Sequence, residues 1–402
     1  MATSALVKTR TQWNQIATPS REFDLLLACC RNGSDDSLTR ALACPVNWDI
    51  VFRSAECHRV VPVLARALRE RSDVPGSVQS ALQARFQRNA LQALRFSAEL
   101  ARVTRALANH DIEVLALKGP TLGQLLYGDT ALRQFGDLDL LVRPRDVQRA
   151  KAVLRELGYE AQRHLSKRQE RAHLRSGHEH VFRLNDQRNL LELQWHILQR
   201  HYAVEFDLDA LFRRSIEIQM EGFRVRSLGP EDQFLTLSVH AAKHSWAHLG
   251  MVRDIATLTN LPLDWNWVHA EATRIGILRI VAISLALGRE LLGCKVPDEI
   301  ARARGIHAAE RMAGRVGARL SEGKDIDFSS LRYFSDFAWT RERWQDRLRF
   351  VWRQALTPGI NDWECARIPD SLLPLYRLIR IGRFLKRAIV TSRGPRALAR
   401  ET

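Results

Sequence analysis

Residues 137–142 read DLDLLV. In an extended chain successive side chains alternate, so Asp137 and Asp139 share one face and Leu138 and Leu140 the other. Two carboxylates side by side in an apolar run repel each other and resist burial unless a cation neutralises them. Oxygen-only donors of this kind suit Mg²⁺, which is usually held by one or two carboxylates together with substrate phosphates. A third carboxylate lies in NLLELQW, where Glu192 faces away from Leu191 and Leu193. If the two strands are neighbours, Glu192 reaches the same place. Three carboxylates then suffice for two metal ions about 3.5–4 Å apart, one activating the attacking oxygen and one on the transferred phosphorus.

The segment upstream supplies the complement. EVLALKGP reads as a short apolar strand that breaks at Gly119 and passes straight into a helix, with Pro120 suited to the first helical position. Free N–H groups at such a helix start form an anion site. Lys118 adds a point charge beside it, and Arg133 can fork onto a phosphate or pair with Asp129 or Asp137. The expected arrangement is a phosphate cradle followed by a metal pair.

These residues carry a resemblance. Leu117-Lys118-Gly119, Tyr127-Gly128, Arg133, Asp137 to Val142 and the acidic strand Leu191 to Trp195 resemble the polymerase-β-like nucleotidyltransferase superfamily. More narrowly, they resemble a bacterial nucleotidyltransferase family with Leu-Lys-Gly and Asp-Leu-Asp-Leu-Leu-Val. HAAKHSWAHLGMVRDIA (His240 to Ala256) also looks like that family. The resemblance implies a palm-type fold and metal-dependent transfer of a nucleotide from an NTP. Two departures stand out. Lys-Gly-Pro replaces the superfamily's Gly-Ser or Gly-Gly turn, and Gln194 replaces the histidine that often follows the third acidic strand in the subfamily.

Histidines and one lysine add candidates. His178 and His180 are two apart in a strand-like stretch, with His196 further on; they could touch base or ribose, bind zinc, or be half-buried and inert. Zinc is disfavoured, and His180 is carried forward as a pocket residue. His240, Lys243 and His244 share one helix face, with Asp254 beyond, and could face nucleotide or acceptor; an interdomain hydrogen-bonded patch is the alternative. Lys243 is carried forward as nucleotide-binding. Removing either aspartate is expected to abolish turnover without changing the melting temperature.

The elements that must position these groups follow from periodicity. Residues 1–109 read as helices, including a long amphipathic one opened by Ser77. Residues 110–204 give a β-α-β-α-β-β order, and 205–402 are mainly helical with a basic end. The fold class is α+β, a small mixed-sheet palm core flanked by N-terminal and C-terminal helical domains.

Composition bounds the rest. Lys and Arg total 61 against 45 Asp and Glu, leaving +16. That favours polyanions in general, with arginines spread along the whole chain. No RNP-type or helix-turn-helix signature singles out nucleic acid, although RNA binding or RNA-end transfer is a rival reading. A second rival keeps the nucleotide but not its transfer, giving a scaffold protein. Six scattered cysteines lack any C-x-x-C pair, are read as core residues, and argue against a disulfide framework. No leader or membrane-spanning run is apparent, which points to the cytoplasm. The arginine-rich stretch 372–402 reads as a docked terminal helix, with peripheral membrane contact as the alternative.

Overall fold

The computed structural model describes residues 21–31, 35–184, 190–303, 305–328, 330–365 and 375–383. Five helices come first: α1 (Arg21–Cys30), α2 (Asp35–Leu42), α3 (Trp48–Cys57), α4 (Val61–Leu68) and the long α5 (Gly76–Ala108). The central part runs β1 (Val114–Ala116), α6 (Pro120–Tyr127), β2 (Asp137–Val142), α7 (Val147–Glu156), β3 (Tyr159–Ala161), α8 (Lys167–Ser176), β4 (Glu179–Leu184) and β5 (Leu190–Gln194). After α9 (Leu208–Arg213), β6 (Ile216–Met220) and β7 (Phe223–Ser227) come α10 (Pro230–Lys243), α11 (Leu249–Leu258), α12 (Trp265–Ile275) and α13 (Leu278–Leu292). The remaining helices are α14 (Asp298–Ala301), α15 (Ile306–Ser321), α16 (Leu331–Thr340), α17 (Trp344–Leu356) and α18 (Ile360–Cys365).

Seven strands form one mixed sheet in the order β3-β4-β5-β2-β1-β7-β6. β2 lies parallel to β5 and antiparallel to β1. The sheet therefore runs past residue 204, where the sequence reading closed its central segment. β7 joins parallel to β1 at Ala116 and Ser227, and the Ser227 hydroxyl donates to the Ala116 carbonyl at 2.6 Å. Two elements of this sheet region carry little sequence signal. β3 is only three residues long, and α8 (KRQERAHLRS) has almost no apolar stripe; it is fixed by a capping box between Ser166 and Gln169. Ser77, expected to cap α5, lies inside that helix, which starts after Pro75 with no side-chain cap.

One face of the sheet is packed dry. Leu138, Leu140 and Val142 of β2 and Leu191 and Leu193 of β5 meet Phe96, Leu100, Val103 and Leu107 of α5 and Val147, Ala150 and Leu154 of α7. The opposite face of β1 and β2, through Leu115, Leu117 and Leu141, meets Leu211, Phe212 and Leu228. The helices before and after the sheet share a single core, with Leu25, Leu26, Val51 and Leu64 packed in one cluster with Val252, Ile280, Ile283 and Val316. The N-terminal and C-terminal helices thus meet each other rather than forming two separately cored flanks.

Cys29, Cys30 and Cys57 are buried as expected, whereas Cys44 is exposed. No helix among the described residues is long and apolar enough to cross a membrane. Much of 372–402 lies outside the described residues. Within the part that is described, Arg380 and Arg383 pair with the buried Asp362 and Tyr376 is buried, which is a docked arrangement.

Candidate active site

The pairing of β2 with β5 sets the site. Asp139 lies directly opposite Glu192 and Asp137 opposite Leu190, so Asp137, Asp139 and Glu192 project from one face of adjacent strands. Asp139 is 2% exposed, while Asp137 and Glu192 are only half-buried. Together they form the acidic side of β2 and β5, which water reaches at Asp137 and Glu192.

The turn after β1 brings the opposite charge. Gly119 has φ +65° and ψ −133°, a backbone state open to glycine, and a Cβ there would stand 3.3 Å from the Asp137 carbonyl oxygen. That close approach carries Lys118 over the carboxylates, where its Nζ is 3.0 Å from Asp139 Oδ1. Burial works against the Lys118 charge, but Asp139, Asp137 and Glu192 outweigh it and hold the ammonium above the ordinary lysine value. Burial first, and then the Asp139 charge, push the Asp137 carboxyl up. Burial likewise drives Glu192 well above the usual carboxylate range, with Glu179, Asp139 and Asp137 adding to the effect.

Gln194 occupies the position where the subfamily often has histidine. Its Nε2 donates to Asp139 Oδ1 at 2.8 Å and to Glu192 Oε2 at 3.3 Å, tying two acidic groups together. Among the described residues no three His, Cys, Asp or Glu side chains are set to hold a metal ion. Lys118 and Gln194 hold Asp139 instead.

Arg133 pairs with neither Asp129 nor Asp137. Its Nε donates to Asp254 Oδ2 of α11 at 2.9 Å, and Tyr127 donates its hydroxyl to Asp254 Oδ1 at 2.6 Å. Arg253 stacks over the Tyr127 ring at 4.0 Å, completing a polar seam between α6 and α11. The guanidinium is thereby anchored to α11 rather than to the carboxylates of the sheet.

The C-terminal end of α10 forms another wall. Lys243 Nζ lies 3.5 Å from His178 Nε2, and His178 Nε2 is 2.9 Å from Glu179 Oε2. The His240 and His244 rings are 4.7 Å apart. Burial, then the charges of Lys118, His244 and Lys243, keep His240 well below the ordinary imidazole value, so it is neutral at pH 7. Lys243 is thus brought to the site.

His180 is not. It lies opposite Leu193 and belongs to the packed face, with Trp195 at 4.9 Å, His173 at 5.0 Å and its Nε2 3.5 Å from Glu170. The pairing with His178 fails because His178 precedes the strand, so the two do not share a pleated face. The residue of HEHVF that does face the site is Glu179, opposite Gln194. Strand parity alone would have exposed it, had the register of β4 against β5 been readable.

A second residue the sequence did not mark is Arg59, between α3 and α4. It is exposed, has φ +57°, and its charge acts on Asp137, Arg133 and Asp254.

A buried Asp139 beside a half-buried Asp137, a third acid in register and a lysine on a glycine turn thus stand together on one mixed sheet. The model of the uncharacterised nucleotidyltransferase family matches residues 45–293, and the chain belongs to that family. No curated protein and no solved structure matches it.

Proposed function

We propose that this protein transfers a nucleoside monophosphate from an NTP to a hydroxyl of an acceptor, whether small molecule, peptide or protein. The observation that carries the reading is the Asp139–Glu192 register, which aligns three carboxylates beside a lysine on a glycine turn. The oxygen-only chemistry of Asp137, Asp139 and Glu192 suits Mg²⁺, and these three would hold it once Lys118 gives up Asp139. Bound there, Mg²⁺ neutralises triphosphate charge and acidifies the acceptor hydroxyl.

The residues have distinct tasks. Lys118 holds the charge of Asp139 in check until substrate arrives, then turns to the β-phosphate. The Gly119 turn presents N–H groups to the same phosphates. Arg133, fixed by Asp254, and Lys243 neutralise the β- and γ-phosphates from the walls. The acceptor oxygen attacks the α-phosphorus in line, forming a new O–P bond as the bond to the oxygen bridging the β-phosphorus breaks. Pyrophosphate departs with those bonding electrons, and the hydroxyl proton passes to a carboxylate, for which Glu192, held well above the usual carboxylate range, is the candidate.

The test is incubation with Mg²⁺ and each α-³²P-labelled NTP, with and without cell extract. Label should move to an extract component with wild type and not with Asp137→Asn; no labelled component with any NTP would overturn transfer. A second reading, NTP binding without transfer, draws on the lock of Lys118 on Asp139 and on the absence, among the described residues, of three side chains set for a metal. Clear NTP binding without label transfer would favour it.

A further inference from the structure

Residues 56–61 read ECHRVV and form a tight connection between α3 and α4. The connection is held by His58 N to the Ser54 carbonyl (2.8 Å), Arg59 N to Glu56 (3.2 Å) and Val60 N to Ala55 (2.9 Å). It is also clamped from outside. Val61 N donates to Gln134 Oε1 at 2.9 Å, next to Arg133 on the segment entering β2. On its other side Gly250 N donates to the His58 carbonyl at 2.9 Å, and Leu249 N donates to His58 Nδ1 at 3.2 Å. A Cβ on Gly250 would lie 3.1 Å from the His58 carbonyl oxygen and 3.2 Å from that of Arg59, so the two segments are in close contact. The turn is wedged between the two elements that carry Arg133 and Asp254.

Arg59 is at the tip of this wedge, in the left-handed region at φ +57°. An L side chain with a Cβ is strained there and glycine is not. Strain of this kind persists where the surroundings over-determine it, and it clusters at functional sites. The side chain does nothing for the fold that a hydrogen bond would register: among the described residues its guanidinium makes no hydrogen bond or ion pair. It is solvent-exposed, yet its charge acts on Asp137 and Asp254, and also on His244 and His248. Lys118 and Arg133, by contrast, already hold Asp139 and Asp254. Among the described residues Arg59 is thus a cation without a partner, on a turn set between the segments of Arg133 and Asp254.

We infer that Arg59 is a substrate-binding residue that grips the terminal phosphate of the NTP. This rests on the nucleotidyl-transfer reading above and deepens it. The α-phosphorus must sit at the carboxylates, so the tail of the triphosphate extends towards the walls, where a planar guanidinium can take two phosphate oxygens at once. An unpartnered arginine there separates triphosphates from monophosphates, because only the former reach it.

The experiment uses the full chain, Mg²⁺, the four ribonucleoside triphosphates and the matching monophosphates, with calorimetric affinities for wild type, Arg59→Gly and Arg59→Lys. Arg59→Gly should fold with an equal or higher melting temperature, since glycine relieves the strained turn. It should bind the preferred triphosphate at least tenfold more weakly, with affinity for the monophosphate unchanged. Arg59→Lys should fall between, keeping the charge but losing the fork. Wild-type affinity for the triphosphate in a folded Arg59→Gly would overturn the role of Arg59 and leave the transfer reading intact. Equal loss for triphosphate and monophosphate would overturn the assignment to the terminal phosphate. If the wild-type protein binds no triphosphate, both readings fall. Should Arg59→Gly not fold, the glycine-strain argument fails, and wild-type triphosphate affinity in Arg59→Lys would then overturn the fork.

Discussion

The two faces of the sheet are made from the same strands and obey opposite rules. On the packed face, Leu138, Leu140, Leu191 and Leu193 are excluded from water against α5 and α7. On the cleft face their immediate neighbours Asp137, Asp139 and Glu192 crowd like charges together, with Asp137 and Glu192 both pushed up by burial. One face is a source of stability and the other consumes it. Asp139 complicates that division, because Lys118 at 3.0 Å and Gln194 at 2.8 Å make it both a site residue and part of a buried polar network.

The sharpest way to break the comparison is Asp139→Ala. It leaves the Lys118 ammonium and the Gln194 amide over a buried floor without their acceptor, and breaking such a pair from one side costs about 3–5 kcal/mol. Urea denaturation should show that loss, together with loss of label transfer; adding Lys118→Met should recover part of the stability and none of the transfer. The result decides whether the expectation that either aspartate can be removed without cost to the fold extends to Asp139, which Lys118 and Gln194 hold.

Leu140→Ala probes the other face of the same strand. Leu140 is fully buried, and truncation should cost about 3 kcal/mol through lost transfer and a residual cavity. Nucleotide affinity of the folded fraction should remain at the wild-type value. A change in affinity larger than the change in folded fraction would mean that the faces are coupled.

The smallest effect has the opposite sign. Burial and Asp139 raise the Asp137 carboxyl, so the folded state holds a proton that the unfolded chain releases near pH 4. Stability from this group is therefore lost as pH rises from about 4 through the raised value, and the charge remains a burden at pH 7. Asp137→Asn should remove that slope and stabilise the protein by about 1 kcal/mol while abolishing transfer. Thermal melts across pH 4–8 test it; a destabilised Asp137→Asn would place Asp137 with the structural groups.

What the sequence alone determined is local. Alternation in DLDLLV put the aspartates on one face, the Lys-Gly-Pro break gave the turn and α6, and the long amphipathic stretch gave α5, because each is set by the geometry of a few consecutive residues. Tertiary structure decided which strands are neighbours and which parity faces the cleft. It set Glu192 opposite Asp139, His180 on the packed face and Glu179 opposite Gln194. It also gave Arg133 a partner 121 residues away in Asp254, and set the turn of Arg59 between the segments that carry them. Register and long-range pairing depend on how whole elements dock, and no short window of residues carries that information.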